Sequence, residues 1–170
     1  HEASALAATW KLGKLVVLYD DNDITIDGST QLSFTENPMQ RYQAYGWHVQ
    51  HVDGHNMAEI EAAIETAKTV ANAPSIIACK TKIGFGSPNK QGTSEVHGSP
   101  LGEAEIALTK KQLGLPADKD FFVSDATRSF MAQEIENGID AEAACKKKLA
   151  LYKMSHPETA KEFEAIMNND

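Results

Sequence analysis

The sequence predicts an open α/β fold, a mainly parallel sheet flanked by helices, with a helical arm at its C-terminal end. Short apolar segments rich in β-branched residues alternate with segments of helical period between residues 14 and 81, joined by short links, as in a parallel sheet built through right-handed crossovers. Beyond residue 103 the strand pattern stops and only helical stretches follow. With 170 residues, 42% of them hydrophobic and 24% charged, the chain is long enough for one domain with a buried core.

Residues 2–12 place Leu6, Ala7 and Trp10 on one helical stripe, with Gly13 as the left-handed stop. Lys14 to Tyr19 reads as a buried strand whose polar end is Asp20-Asp21. After a polar loop through Asp27-Gly28, Asn37 and Pro38 suit the N-cap and first position of a short helix closed by Gly46. Trp47 to Val52 alternates apolar and polar residues and predicts a second strand. Asn56 and Glu59 have capping-box spacing, and Met57, Ile60, Ile64, Ala67 and Ala71 recur at helical intervals until Pro74. Ser75 to Thr81 is the third strand. The stretch Gly84–Gly102 that follows has no period, and a long loop at the carboxyl end of a strand points to function. Helices are expected at Glu103–Leu113, stopped by Gly114, and then at Asp125–Glu136, Asp140–Met154 and Glu158–Met167, the final two reading as a connecting arm.

A formal net charge of −8 and a single basic run, Lys146-Lys147-Lys148, speak against a nucleic-acid partner, which needs clustered cations to displace counterions. Apolar runs such as Leu15–Leu18 fall far short of the roughly 20 residues that cross a bilayer, so no membrane span is expected. Cys79 and Cys145 have no C-x-x-C spacing, so neither a disulfide framework nor a zinc site is indicated, and a reducing compartment fits. The chain opens on His1-Glu2, with neither methionine nor signal peptide, and reads as a fragment.

Two constellations could carry chemistry. Asp20-Asp21-Asn22-Asp23-Ile24 can offer carboxylate, amide and backbone oxygens to a magnesium ion on one turn, or can be a solvated acidic turn, and spacing alone leaves both readings open. The loop from Lys82-Ile83-Gly84-Phe85-Gly86 to His97-Gly98-Ser99-Pro100-Leu101-Gly102 can bring backbone close to a phosphate, with His97 donating to a phosphate or a substrate hydroxyl, or can be a flexible surface loop. It is neither a Walker loop nor a dinucleotide fingerprint. His48 and His51 read as structural, His55 as a residue orienting a turn, His156 as a surface turn residue and Cys79 as a small buried hydrophobe.

The strings His1-Glu2-Ala3-Ser4-Ala5, Tyr19-Asp20-Asp21-Asn22, Ile26-Asp27-Gly28, Tyr45-Gly46-Trp47, Asp53-Gly54-His55, Cys79 to Lys90 and His97 to Gly102 occur in the order found in transketolases. From residue 1 to about 115 the chain resembles their N-terminal, diphosphate-binding domain. The resemblance implies a thiamine-diphosphate-binding fold, with residues 1–117 as the C-terminal part of that domain and 118–170 as a helical extension toward a pyrimidine-binding domain. It implies thiamine diphosphate and Mg²⁺, or Ca²⁺ in its place, as cofactors. The Asn22 side chain and the Ile24 carbonyl would hold the ion, Asn22 would touch the diphosphate, and Ile26 and Ile83 would pack on the thiazolium ring. His97 would lie near the diphosphate and bond the sugar substrate as a catalytic group. Glu2 would join an acidic cluster linking two active sites across a homodimer.

The implied reaction moves a two-carbon glycolaldehyde (ketol) unit from a ketose phosphate to an aldose phosphate, as in the pentose phosphate and Calvin pathways, in the cytoplasm or a plastid. The family's Gly-Asp-Gly segment, which carries the metal carboxylate, would precede residue 1, and its catalytic glutamate belongs to the partner subunit's pyrimidine-binding domain. The 170-residue piece alone is therefore expected to be inactive. Asp23 departs from the smaller residue common in relatives and adds negative charge beside the ion, or faces solvent. The alternatives are a relative that uses formaldehyde as acceptor, and a noncatalytic α/β remnant or binding module.

Overall fold

The computed structural model describes residues 1–168, which run in the order α1 (Glu2–Thr9), β1 (Val16–Asp21), β2 (Ile24–Thr25), β3 (Gly28–Ser29), α2 (Pro38–Tyr45), β4 (His48–Asp53), α3 (Met57–Lys68), β5 (Ser75–Lys80), α4 (Glu103–Gln112), α5 (Asp125–Ser155) and α6 (Pro157–Asn168). They divide into two units, His1–Asp118 and a second that begins at Lys119. The α/β fold read from the sequence is the one observed: β1, β5 and β4 form a parallel sheet in that spatial order.

The centre of the sheet is β5, whose residues Ser75 to Cys79 are all buried because both faces and both edges of the strand are covered. Alternation sends Ile76 and Ala78 to one face, where they meet Ala7 of α1, Met39 of α2 and Trp47. Ile77 and Cys79 point to the other face and pack on Ala63 and Ala67 of α3. The chain leaves β1 along the face of α2 to reach β4, then returns along the face of α3 to insert β5 between them. Reversing direction while changing face keeps both crossovers of one hand.

Local chemistry fixes the helix ends. Asn37 Oδ1 accepts from Gln40 N at 3.1 Å, Pro38 opens α2, and Gly46 closes it at φ 93°. Asn56 caps α3 by accepting from Ala58 N and Glu59 N. Glu59 bonds the Asn56 amide and Asp53 N, so the box reaches back to the end of β4. Trp47 is pinned by an indole N–H bond to Ser4 O at 2.8 Å and an edge contact with Tyr42.

Several expectations are corrected. The first helix ends at Thr9, Lys11 rather than Gly13 takes the left-handed turn at φ 55°, and Leu6 and Trp10 face solvent while Ala7 alone is buried. Gly13 is required for a different reason: a Cβ there would stand 2.3 Å from the Ala71 carbonyl oxygen. In β1, expected to be buried, Leu18 is half exposed, because β1 is an edge strand. Met57, the first residue of α3, is exposed. The polar loop after β1 contains a hairpin, β2 with β3, turned through Ile26-Asp27 and held by Thr25 Oγ1 donating to Gly28 O.

In the second unit the expected gap after Glu136 does not occur. Asp125 to Ser155 is one helix, capped by Ser124 accepting from Thr127 N, and Asn137 donates to Glu134 Oε1 along its surface. A single interior glycine such as Gly138 costs about 1 kcal/mol, which a helix of this length absorbs. The turn at His156-Pro157 is as expected, with His156 stacked on Tyr152. Helices α5 and α6 pair through Lys153 and Glu164, and Ala160 is buried. No described helix is long and apolar enough to cross a membrane.

Candidate functional site

The carboxyl ends of the three parallel strands open into a cleft of about 1580 Å³ within the first unit. Such a position, outside strand ends where the chain order reverses, is where open α/β sheets bind ligands. One wall comes from the end of β1 and the hairpin: Asn22, Asp23, Ile24 and Ser29, followed by Gln31. The floor is Val52, Asp53 and His55 after β4, with Lys80, Thr81 and Lys82 leaving β5. The far wall is the glycine-rich loop, through Phe85, Gly86, Pro88, Gln91 and Gly92, backed by Gln112 and Leu113 at the end of α4.

Asn22 and Ile24 are thus brought together on one wall. Asn22 Oδ1 accepts from Ile24 N at 3.1 Å, which fixes the turn and leaves one lone pair on Oδ1 for a second partner. Asp23 adopts φ 64°, an uncommon conformation that aspartate tolerates better than most residues, and turns its carboxylate onto Lys80 Nζ at 2.6 Å. Lys80 also donates to Asp21 at 3.3 Å, and Thr81 Oγ1 donates to Asp20. The acidic run at the end of β1 is therefore largely matched by Lys80 and Thr81, and the charge of Asp23 lies against a cation. The hydrogen bond from Lys80 to Asp23 is the main reason its ammonium pKa is raised. Burial pushes the Cys79 thiol up, which keeps it a protonated apolar side chain.

The other residues singled out from the sequence stand apart from the cleft lining. Ile26 is at the hairpin apex and 72% exposed. Ile83 is half-buried in the turn after β5, His97 is exposed in a turn that follows a single 3₁₀ turn at Ser94–Val96, and Glu2 is exposed at the start of α1. Among the described residues no three His, Cys, Asp or Glu side chains converge as a metal site.

Two contributors escaped sequence reasoning. His55 faces the cleft, accepts from Lys82 N at 2.9 Å through Nε2, and stacks on Phe85 with ring centroids 4.1 Å apart. Its place two residues past the end of β4 was the available signal. Glu105, in the first turn of α4, is 7% exposed and accepts from Ser87 Oγ, from Asn89 N at 2.9 Å and from Asn89 Nδ2 at 2.8 Å. These donors, Ser87 first, hold the carboxyl below its ordinary range. Nothing in the local pattern marks a pairing across this loop.

A parallel α/β unit whose strand ends open into a cleft between the Asn22–Ile24 turn and a pinned glycine-rich loop has the architecture of a ligand-binding domain. The family model described as "Transketolase, thiamine diphosphate binding domain" matches residues 1–170, and the chain belongs to that family. It is 46% identical over 171 residues to Transketolase 1 of Escherichia coli (strain K12), an alignment covering 100% of this chain and 26% of that protein. Among solved structures, transketolase from Leishmania mexicana superposes with a TM-score of 0.94 at 40% identity, covering 99% of this chain and 25% of that one. A Pichia stipitis transketolase solved with sedoheptulose-7-phosphate matches with a TM-score of 0.91 at 37% identity over 96% of this chain and 24% of that one. The chain thus spans about a quarter of the length of the relatives it matches.

Proposed function

We propose that this chain forms the diphosphate side of a transketolase active site, in which a ketol unit passes from a ketose phosphate to an aldose phosphate. The observation that carries the reading is the joint placement of Asn22 and Ile24 on the cleft wall at the end of β1, opposite the glycine-rich loop. The donor set suits the cofactor: an amide oxygen and a backbone carbonyl are hard ligands for Mg²⁺ or Ca²⁺, which complete their shells with phosphate oxygens. The ion pairs of Lys80 support the fit, because matched carboxylates repel a diphosphate less than free ones.

Thiamine diphosphate, when bound, supplies the means of cleaving the bond next to the ketose carbonyl. The residues of this chain would hold and orient it. Asn22 and the Ile24 carbonyl would take the metal, the apolar side chains of Ile26 and Ile83 would shield the ring from water, and the glycine-rich loop would admit backbone close to the phosphate. His97, exposed and flanked by Gly98, would bond the sugar and pass protons at its hydroxyls. Glu2 would serve the interface of a homodimer whose sites are shared between subunits, and residues 118–170 would lead toward the pyrimidine-binding domain. Cytoplasm or plastid are the compartments the reading allows.

A ketol-transfer assay on the full-length protein containing this segment tests the proposal. Transfer from a ketose phosphate to an aldose phosphate that depends on thiamine diphosphate and a divalent cation is expected. Transfer to formaldehyde alone would favour the relative with that acceptor, and no transfer with no cofactor binding would leave a noncatalytic module.

A further inference from the structure

We infer that the glycine-rich wall of the cleft is set in place by a two-point clamp, His55 at its entry and Glu105 at its middle, and that both are positioning residues for the cofactor. The inference rests on the transketolase reading and adds the residues that hold its loop. The loop leaves β5 at Thr81, and glycines and prolines give it little order of its own. At the entry, Gly54 lets the ends of β4 and β5 close on each other: a Cβ there would stand 2.4 Å from Thr81 Cγ2 and 2.9 Å from Lys80 O. That approach brings His55 Nε2 to Lys82 N and lays its ring on Phe85. Because Nε2 accepts, the ring is the neutral tautomer with its proton on Nδ1, so His55 fixes the chain through geometry and does not donate from Nε2.

At the middle, Ser87 is fully buried, donates to Glu105 and accepts from Lys90 N at 3.2 Å. Asn89 donates to both Glu105 oxygens. The carboxylate therefore closes a hub of three donors that orders residues 86–90, and Leu113 fills the space beside Gly86, where a Cβ would stand 2.7 Å away. A buried charge in a polar hub is costly when unpaired, so helix α4 and the loop are obliged to stay together. Of the cleft residues on this wall, Phe85 lies against His55, and Gly86 and Pro88 lie in the segment ordered at Glu105.

Full-length protein is compared with Glu105→Gln, His55→Ala and the conservative His55→Gln, by hydrogen exchange across residues 82–92 and by calorimetric titration with thiamine diphosphate in excess Mg²⁺. Glu105→Gln and His55→Ala should each raise loop exchange and weaken cofactor binding by about tenfold while exchange in β5 and α3 stays unchanged, and His55→Gln, which keeps an acceptor, should recover most of both. Unchanged loop exchange, a uniform rise across the whole domain, or a loosened loop with undiminished cofactor affinity each overturns the positioning role. If the parent protein binds no thiamine diphosphate, the proposed function falls, and the exchange data alone still decide whether the clamp exists.

Discussion

Replacing Lys80 by methionine keeps the bulk of the side chain and removes the cation that faces both Asp21 and Asp23. The ammonium lies 2.6 Å from Asp23 and 3.3 Å from Asp21, and all three side chains are more than a third exposed. In bulk water a pair at such distances attracts by about 1 to 2 kcal/mol, and screening and side-chain entropy bring the exposed pairs together to about 1 kcal/mol. Lys80→Met should therefore lower unfolding stability by about 1 kcal/mol at neutral pH, and the difference should shrink as salt rises, since the Debye length falls to about 3 Å at 1 M.

The pH dependence has a definite sign. The Lys80 pKa is raised in the fold above its ordinary 10.5, so the stabilisation is complete below that value and disappears as pH rises through the folded value. The same substitution leaves two carboxylates beside Asn22 without their cation and should weaken binding of the diphosphate, with Asp23→Gly in the Lys80→Met background restoring part of it. Denaturant melts at low and high salt, with a cofactor titration of both variants, measure these effects. A loss of stability independent of salt, or a double variant no better than the single one, refutes the electrostatic reasoning.

Gly13→Ala must push a methyl group into the Ala71 carbonyl, and a cost of about 2 to 4 kcal/mol is expected in thermal unfolding. Acid should loosen the loop: the carboxyl of Glu105 is held below its ordinary 4.5, so its contribution is present above that value and is lost as pH falls through the folded value. Hydrogen exchange of residues 86–90 between pH 5 and pH 3 follows that loss, and its absence in Glu105→Gln identifies the group. His97→Ala should leave stability within about 0.5 kcal/mol, as for exposed positions generally, while sugar turnover falls; normal turnover would remove His97 from the site.

The fold was legible wherever one residue type has one local use. Asn37-Pro38 and Gly46 set both ends of α2, Asn56 started α3, and the short, largely apolar run from Ser75 read as the third strand. Reading failed where tertiary contact decides. Gly13 is a glycine because Ala71 approaches it, not because a helix ends there. In α4 the apolar Ile106 and Leu108 are exposed and the acidic Glu105 is buried, an inversion that composition cannot suggest because the partners lie across a loop. Of the residues picked for the site, Asn22 and Ile24 share the cleft wall because two residues of one turn stay together in any fold. His55 and Lys80 reach the same cleft only through the register of β4 with β5 and of β5 with β1.

The most direct test is a calorimetric titration of full-length protein with thiamine diphosphate and Mg²⁺, made on the parent and on Asn22→Ala. The parent should bind with a metal requirement, and removal of the amide oxygen should weaken binding by about tenfold or more, while the cofactor-free protein loses only the about 1 kcal/mol of the Asn22–Ile24 hydrogen bond. Equal affinity in parent and variant would take Asn22 out of the site and with it the assignment of this cleft to the diphosphate.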